Sequence, residues 1–231
     1  MDFELNEDQR AFAETAQQFA MDELAPMAAE WDEKQLFPKD VLKAAGELGF
    51  LSLYTPEEQG GLQLSRLDSS IIFEQLAMGC TSTTAFMTIH NMVTWMIASF
   101  ATEEAKEEFC PKLITGDWLG SYCLTEPNAG SDAASLTTSA KKQGDEYIIN
   151  GGKTFISGAG DTEVLVVMAR TGDSSAKGIS AFVIPADAEG ISYGRKEPKM
   201  GWNSQPTRAI TFDNVVVLSL IHISEPTRRY E

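Results

Sequence analysis

The spacing of hydrophobic positions divides the chain into two parts with different periodicities. In the first part, apolar residues recur at three- to five-residue steps, which is the spacing of amphipathic helices, over residues 7–31, 38–49 and 65–78. Residues 85–100 are apolar almost throughout and predict a helix that is buried among others. We expect Pro26 to break the first segment, Pro38 to be the first residue of the next helix, and Thr102 to cap a further helix. Residues 1–117 are therefore predicted to form an all-helical domain.

The second part carries the pattern of short β-strands. Runs rich in β-branched and aromatic residues are separated by Gly, Pro, Asn and Asp, at 146–150, 153–157, 163–170, 178–184 and 208–212. Because Asn150 and Gly151 both tolerate positive φ, this dipeptide predicts a hairpin between the first two runs. No helix is predicted between the strands, so residues 118–217 should form a mainly antiparallel barrel or sandwich. The predicted fold class is α+β.

Charge and composition exclude several classes of protein. The chain has 18 Lys and Arg against 34 Asp and Glu, and a net charge of -16 repels the phosphates of nucleic acids. The apolar stretch 85–100 is broken by His90 and Asn91 and is shorter than the roughly 18 residues that a membrane span needs. The N-terminal sequence has neither a basic nor an apolar targeting segment. We therefore expect a soluble, cytoplasmic protein that binds no nucleic acid.

Cysteine and histidine offer little reactive chemistry. Cys80, Cys110 and Cys123 form neither a CxxC pair nor an even set, and we expect three packed, reduced thiols. With two histidines, His90 and His222, the chain cannot build a zinc cluster, and no metal site is predicted. A lone His90 in an apolar helix is expected to be a packing residue with satisfied hydrogen bonds, not a catalyst.

The most distinctive segment is YCLTEPNAGSD, residues 122–132, a predicted strand that leads into a loop of small polar residues. The hydroxyls of Thr125 and Ser131, with the amides around Ala129, Gly130 and Ser131, can form a concavity rich in hydrogen-bond donors. Such a concavity suits the polar or anionic edge of a ligand. The alternative is a capped surface turn, and the residues by themselves leave both interpretations open.

Two motifs resemble those of the acyl-CoA dehydrogenases. Residues 122–132 resemble the family's YCxTEPxxGSD signature, and KTFIS, residues 153–157, follows at the family's spacing as its second flavin-contacting segment. The resemblance covers residues 3 to about 217, which correspond to the family's N-terminal helical domain and middle β-domain. It implies FAD as cofactor, an acyl-CoA substrate and electron-transfer flavoprotein as electron acceptor. The implied reaction is α,β-desaturation, in which a glutamate removes the α-proton and the β-hydrogen leaves as hydride to flavin N5.

The resemblance also implies roles for individual residues. Thr125 would lie near the polar edge of the flavin, and Ser131 near both the flavin and the acyl-CoA. Phe155 would lie over the isoalloxazine face where many members carry Trp, and the Ser157 hydroxyl would reach toward N5 where many carry Thr. The predicted flavin-contacting residues are Tyr122, Cys123, Leu124, Thr125, Glu126, Pro127, Asn128, Ala129, Gly130, Ser131, Phe155, Ile156 and Ser157.

Three further segments, 79–85, 89–91 and 201–208, resemble those of the family members that oxidise isobutyryl-CoA in valine catabolism. They imply a short branched substrate, with isobutyryl-CoA converted to methacrylyl-CoA. Met87 and Ile89 would then face the acyl group, the alternative being that both are plain core residues. Two other functions stay open, namely a short-chain or 2-methylbutyryl-CoA dehydrogenase, and a fold-mate that binds flavin or acyl-CoA without turnover.

Residues 218–231 depart from the family's pattern. The family continues with a C-terminal four-helix domain that carries the catalytic glutamate and supports homotetramers, whereas this chain reads LSLIHISEPTRRYE. The string LSLIHISEPTR resembles the translation of a transposon end joined to a sequencing-library adapter, and the alternative is a genuine divergent tail. We therefore expect residues 218–231 to be non-native and the C-terminal domain with its catalytic base to be absent from this chain. The fragment itself should then be inactive, and the homotetramer is expected of the intact parent.

Overall fold

The computed structural model describes residues 4–218 and 222–223, with side chains described for residues 4–217. Helices fill the first part of the chain, as predicted. They are α1 (Glu7–Phe19), α2 (Ala28–Lys34), α3 (Lys39–Glu47), α4 (Arg66–Gly79), α5 (Thr81–Phe100) and α6 (Glu103–Ile114). The predicted non-native tail, residues 218–231, lies outside the described residues except at 218 and 222–223. No helix in the described ranges is long and apolar enough to cross a membrane.

Local signals set the ends of these helices. The Thr102 hydroxyl accepts a hydrogen bond from the backbone N–H of Ala105 at 3.4 Å and caps α6, as predicted. Pro26 lies between a π-helical turn that ends at Leu24 and the start of α2, which confirms the predicted break. The prediction for Pro38 is wrong by one position. Pro38 precedes α3 as its cap residue because its ψ of 70° is not helical.

α5 is the buried centre of the helical part. The Asn91 amide that interrupts its apolar run is fully buried, and its nitrogen donates to the carbonyl of Phe50 at 2.8 Å. The Asn91 amide oxygen accepts from the backbone N–H of Leu53, also at 2.8 Å. These bonds pair backbone groups of the segment that follows α3, so the polar break in the apolar run holds this segment against α5.

The second part is a single curled, mixed sheet. Its strands are β1 (Gly120–Cys123), β2 (Ser139–Gln143), β3 (Glu146–Ser157), β4 (Val164–Arg170), β5 (Ile179–Pro185), β6 (Ile191–Tyr193), β7 (Thr207–Leu218) and β8 (His222–Ile223). Within the described residues the order is β6-β7-β3-β2-β4-β5-β8, with β1 beside β4. Most pairs are antiparallel, as predicted, but β1 runs parallel to β4 and β2 meets β4 in parallel at one position. The strands form one sheet and not a two-sheet sandwich.

The predicted hairpin at Asn150 and Gly151 is wrong. β3 continues through both residues, and its register against β7 shifts here, which marks a β-bulge. Gly151 has a φ of 145°, and a Cβ at this position would lie 2.6 Å from the Thr138 hydroxyl oxygen. The glycine is therefore required by the close approach of the segment before β2. The hairpin itself joins β2 to β3 at Gly144, whose φ is 62°.

Hydrogen bonds from His90 tie the helical part to the sheet. The His90 Nδ1 accepts from the backbone N–H of Gly120 at 3.1 Å, so Nε2 carries the proton and donates to the Leu113 carbonyl at 2.9 Å. The side chain has no exposed surface, and burial lowers its pKa to about 4. His90 is thus a neutral packing residue with both nitrogens satisfied, as predicted. It joins α5 to the end of α6 and to the first residue of β1.

Candidate functional site

The loop that follows β1 is bound to β3 by hydrogen bonds. The Thr154 N–H donates to the Thr125 carbonyl at 2.8 Å, and the Lys153 ammonium donates to the Leu124 carbonyl at 3.0 Å. These bonds bring together the two segments that the sequence singled out, residues 122–131 and residues 153–157. One surface region therefore combines the loop of small polar residues with the end of β3.

A buried ion pair between Glu126 and Lys153 holds this arrangement. The two side chains are 4% and 0% exposed, and the Glu126 Oε1 lies 2.7 Å from the Lys153 Nζ. The same carboxylate accepts bonds from the Thr137 N–H at 2.7 Å, the Thr137 hydroxyl at 2.8 Å and the Thr138 N–H at 2.9 Å. Burial by itself raises the pKa of Glu126, but the hydrogen bonds from Lys153, Thr138 and Thr137 outweigh it and lower the pKa to about 2. Burial also lowers the pKa of Lys153, against the pull of the carboxylate.

The Glu126 side chain is thereby fully engaged within the protein. It links the loop after β1 to β3 and to the segment before β2, and it has no donor capacity for a ligand. Sequence reasoning placed Glu126 among the cofactor contacts and missed Lys153 as its partner. No local signal pairs these residues, because they lie 27 positions apart in the chain.

The loop itself divides into a closed turn and an open end. Reciprocal bonds of 3.0 and 3.1 Å between the backbones of Glu126 and Ala129 close the turn, so the Ala129 amide is not available to a ligand. No group of the described residues accepts from the amides of Gly130 or Ser131, and both residues are exposed. A Cβ on Gly130 would meet nothing within 4 Å. The closed half fits the surface-turn interpretation, and the open half keeps the donors that the ligand-binding interpretation needs.

Phe155 occupies an unusual backbone conformation at the end of β3. Its φ is 57°, in the left-handed region that bulky residues rarely adopt, and a register shift against β7 marks a bulge here. The side chain is 65% exposed, whereas the next residue, Ile156, is buried in the sheet core. The strained bulge therefore presents an aromatic ring outside the core, and such strain is concentrated at functional sites.

The Ser157 hydroxyl has a buried partner that sequence reasoning did not assign to the site. The Gln205 amide nitrogen donates to the Ser157 Oγ at 2.6 Å, and the Gln205 side chain is buried. Gln205 comes from the segment between β6 and β7, 48 positions away. The segment 201–208 drew attention only through its family resemblance, and nothing in its own pattern indicates this contact.

The remaining predicted contacts differ in accessibility. Cys123 is a free thiol buried in the same core cluster as Ile156, and burial raises its pKa to about 12, so its side chain offers neither a thiolate nor a ligand contact. Tyr122 and Leu124 are half-buried, and Pro127 and Asn128 are exposed. Cys80 and Cys110 are likewise free and buried, in agreement with the predicted packed thiols.

The two predicted acyl contacts on α5 are placed differently. Met87 has no exposed surface and belongs to the core of the helical part, together with Phe86 and Leu119. Ile89 is half-buried. In this structure Met87 is a core side chain, and Ile89 is the one of the two that has surface available to a ligand.

The site combines hydrogen-bond donors with an aromatic surface, a combination suited to a planar group with polar edges. Hydroxyls of Thr125, Ser131 and Ser157 and the free amides of the loop provide donors, and Phe155 provides an aromatic surface. In the described part of the chain, no group of three or more His, Cys, Asp or Glu side chains is arranged to hold a metal ion.

Comparison with known proteins covers most of the chain. Family models described as "Acyl-CoA dehydrogenase, N-terminal domain" and "Acyl-CoA dehydrogenase, middle domain" match residues 6–117 and 121–215. The mitochondrial isobutyryl-CoA dehydrogenases of Bos taurus and Dictyostelium discoideum are 54% and 51% identical over 213 and 211 residues. These matches cover 92% and 91% of this chain and 51% of each relative, so the chain spans about half the length of the curated relatives it matches. A solved glutaryl-CoA dehydrogenase from Mycobacterium smegmatis, in complex with FADH2, is 27% identical, with a TM-score of 0.89 over 96% of this chain and 57% of its own.

Proposed function

The chain belongs to the acyl-CoA dehydrogenase family, and we propose that it provides the flavin site of an FAD-dependent enzyme that desaturates a short branched acyl-CoA. The observation that carries the proposal is the hydrogen bond between Thr154 and Thr125, together with the bonds from Lys153 to Leu124 and Glu126. These contacts join the two motif segments that resemble the family's flavin-contacting segments.

The residues at this surface fit FAD. The open space at Gly130, the exposed ring of Phe155 and the hydroxyl of Ser157 match a planar ring system with polar edges. The Gln205 Oε1, a buried acceptor with no partner among the described residues, lies on the side chain that contacts Ser157. When bound, FAD supplies the two-electron acceptor for the hydride that leaves the β-carbon.

The protein's own groups then have distinct tasks. The Thr125 hydroxyl and the amides of Gly130 and Ser131 would donate hydrogen bonds to the polar edge of the cofactor, and Ser131 would also contact the acyl-CoA. The Phe155 ring would hold one face of the isoalloxazine and keep water from it. The Ser157 hydroxyl would donate a hydrogen bond to N5 and so help to hold the cofactor in place.

We propose isobutyryl-CoA as the substrate and methacrylyl-CoA as the product. Two relatives that carry this activity in their names share more than half of their aligned residues with the chain. A four-carbon branched acyl group needs only a small apolar pocket, and Ile89, which is half-buried, is the predicted α5 contact that has surface available for it. Short-chain and 2-methylbutyryl-CoA specificity, and binding without turnover, are the outcomes against which the proposal is tested.

The remaining parts of the proposed function concern the intact protein. We propose electron-transfer flavoprotein as the electron acceptor and a homotetramer as the assembly. The catalytic glutamate belongs, by the resemblance, to a domain that follows the middle β-domain, and we propose that residues 4–217 supply the flavin-binding surface. The cytoplasmic location stays a prediction, since the two relatives above are mitochondrial proteins.

Two measurements test the proposal. Titration of the purified 231-residue chain with FAD, followed by quenching of flavin fluorescence, should show saturable binding that the Phe155→Ala variant weakens. Sequencing source DNA across the codon for Val217 gives the coding sequence from which the protein for the second measurement is expressed. That measurement compares isobutyryl-, butyryl- and 2-methylbutyryl-CoA as substrates. We expect kcat/KM for isobutyryl-CoA to exceed that for 2-methylbutyryl-CoA, which is one methylene longer, by roughly tenfold or more. Butyryl-CoA is an unbranched isomer of isobutyryl-CoA, and a pocket shaped for the branch should also oxidise it more slowly.

The other outcomes are informative. A preference for butyryl- or 2-methylbutyryl-CoA assigns the corresponding alternative specificity, and FAD binding without turnover of any substrate supports the non-catalytic fold-mate. The same fourteen codons in source DNA would contradict the proposal that residues 218–231 are non-native.

A further inference from the structure

The segment between β6 and β7 is held from both sides at the point where it reaches the site. The Ser204 hydroxyl donates to the Ser82 hydroxyl in the first turn of α5 at 2.6 Å. The Pro206 carbonyl accepts from the N–H of Gly158, which directly follows β3, at 2.8 Å. Gln205 lies between these two anchors, so its backbone is fixed against both the helical part and the sheet.

A third contact fixes the backbone of Gln205 itself. The Lys199 ammonium donates to the Gln205 carbonyl at 2.6 Å and to the Thr207 hydroxyl at 3.0 Å. The Gln205 side chain is 4% exposed and therefore cannot exchange its contacts freely with water. A side chain held in this way keeps its amide in one position, so its hydrogen bond to Ser157 costs little conformational entropy.

The contact between Gln205 and Ser157 determines where the serine proton points. A hydroxyl has one proton and two acceptor lone pairs, and the Gln205 amide nitrogen occupies one lone pair at 2.6 Å. No acceptor among the described residues takes the Ser157 hydroxyl proton. With the amide donating into its oxygen, the serine is left to donate outward, away from Gln205.

We propose that Gln205 is a positioning residue for the flavin site, which orients the Ser157 hydroxyl so that its proton is presented to the N5 acceptor of the cofactor. This inference rests on the proposed function, because it requires a flavin at the site. It adds to the flavin site a residue from a third segment, outside both motifs. The direction in which the Ser157 hydroxyl donates would then depend on the amide nitrogen at position 205.

The two hydrogen-bonding capacities of position 205 can be separated by substitution. In Gln205→Glu the side chain keeps its length, but an ionised carboxylate can only accept hydrogen bonds. The Ser157 proton should therefore turn inward and donate to the carboxylate. In Gln205→Met the side chain keeps its approximate volume but forms no such bond, and the serine loses its fixed orientation. In both cases the effect on the flavin should vanish when Ser157 is replaced by alanine.

The experiment measures FAD affinity and the visible absorption spectrum of the bound flavin in single and double variants of the 231-residue chain. We expect Gln205→Glu to raise the FAD dissociation constant about tenfold, the factor for one hydrogen bond, and to shift the flavin absorption band. In the Ser157→Ala background the same substitution should change the dissociation constant by less than about twofold and leave the spectrum unshifted. Gln205→Met should show the same dependence on Ser157 with a smaller change.

Asn203→Ala provides the control for a merely structural role. It removes the Asn203 side-chain amide that donates to Asp32 at 3.1 Å, so it loosens the same segment without touching Ser157. Its FAD dissociation constant should stay within about twofold of the wild-type value. Circular dichroism of each variant identifies those that fail to fold. If Gln205→Glu does not fold, the comparison of Gln205→Met with and without Ser157→Ala tests the inference instead.

The outcomes separate this inference from the proposed function. If the wild-type chain binds no FAD, the proposed function fails and the inference fails with it. If the wild-type chain binds FAD and Gln205→Glu binds it equally well, only the inference is overturned, because the serine proton was already directed toward position 205. Equal losses from Gln205→Glu in the wild-type and Ser157→Ala backgrounds would also overturn it, since the effect would then not pass through Ser157.

Discussion

Replacing Lys153 by methionine should destabilise the fold by leaving a carboxylate buried without its counterion. The Lys153 ammonium contacts the Glu126 Oε1 at 2.7 Å and the Leu124 carbonyl at 3.0 Å, and its side chain has no exposed surface. Methionine is similar in length and apolar, so it fills most of the vacated volume and adds little cavity cost. The substitution therefore removes mainly the charge and two hydrogen bonds.

The magnitude follows from the surroundings of Glu126. At 2.7 Å and an effective dielectric constant of about 20, the attraction between the two charges is roughly 6 kcal/mol, most of which the burial of both charges offsets. Breaking a buried pair by removing one partner typically costs about 3–5 kcal/mol. Because Glu126 keeps its three bonds from Thr137 and Thr138, we expect the lower end, about 3 kcal/mol.

The assay is equilibrium unfolding in urea at pH 7, followed by far-ultraviolet circular dichroism and analysed for the free energy of unfolding. Lys142→Met is the matched control, because Lys142 lies on β2 with an exposed side chain, and its replacement should change the free energy by less than about 0.5 kcal/mol. The double variant Glu126→Gln with Lys153→Met removes the stranded charge. It should recover part of the loss.

A loss below about 1 kcal/mol for Lys153→Met, close to that of the Lys142 control, would refute this reasoning. It would mean that the pair contributes no more than a surface ion pair does. A double variant that is no more stable than Lys153→Met would show that an unpaired buried carboxylate is not the source of the loss.

Three further predictions concern the flavin site, the core and pH. Phe155→Ala should weaken FAD binding roughly five- to tenfold and Phe155→Trp less than about twofold, measured by fluorescence titration, because only the aromatic surface is needed. Asn91→Ala should cost about 3 kcal/mol in urea unfolding by leaving the Leu53 amide and the Phe50 carbonyl unpaired, against less than about 0.5 kcal/mol for the exposed Asn128→Ala. The pKa of His90 in the folded protein is lowered to about 4, so its contribution to the free energy of unfolding is present above pH 6.5 and decreases by about 3 kcal/mol as the pH falls toward 4. Urea unfolding of His90→Gln should lack this pH dependence.

The helical part illustrates what a sequence specifies by local means. The period of apolar residues predicted α1, α3 and α4, because each helix buries one face and closes its hydrogen bonds within a few residues. The apolar run at 85–100 predicted α5 as a helix buried among others. The Thr102 cap was equally visible, since a capping side chain acts on an amide three positions away. His90 was predicted as a packing residue from its apolar surroundings, although its partners at Leu113 and Gly120 were not.

The error at Asn150 and Gly151 marks the limit of such local reasoning. A dipeptide that tolerates positive φ suits a hairpin turn and a β-bulge equally well, and the sequence of β3 does not distinguish them. Two tertiary contacts favour the bulge over the turn. Thr138 lies within 2.6 Å of the position that a Cβ on Gly151 would occupy, and β3 pairs with β7 on both sides of the bulge. Both partners are distant in sequence.

The site shows the same division. By itself, the sequence determined the helices, most of the strands and the two motif segments, which resemble a known flavin site closely enough to suggest its residues. Only the tertiary structure decided that Glu126 is engaged by Lys153, 27 positions away, and that Ser157 is engaged by Gln205, 48 positions away. The reason is physical. Periodicity and capping depend on neighbours along the chain, whereas buried charges and amides take whichever partner the packing of strands and loops brings within hydrogen-bonding distance.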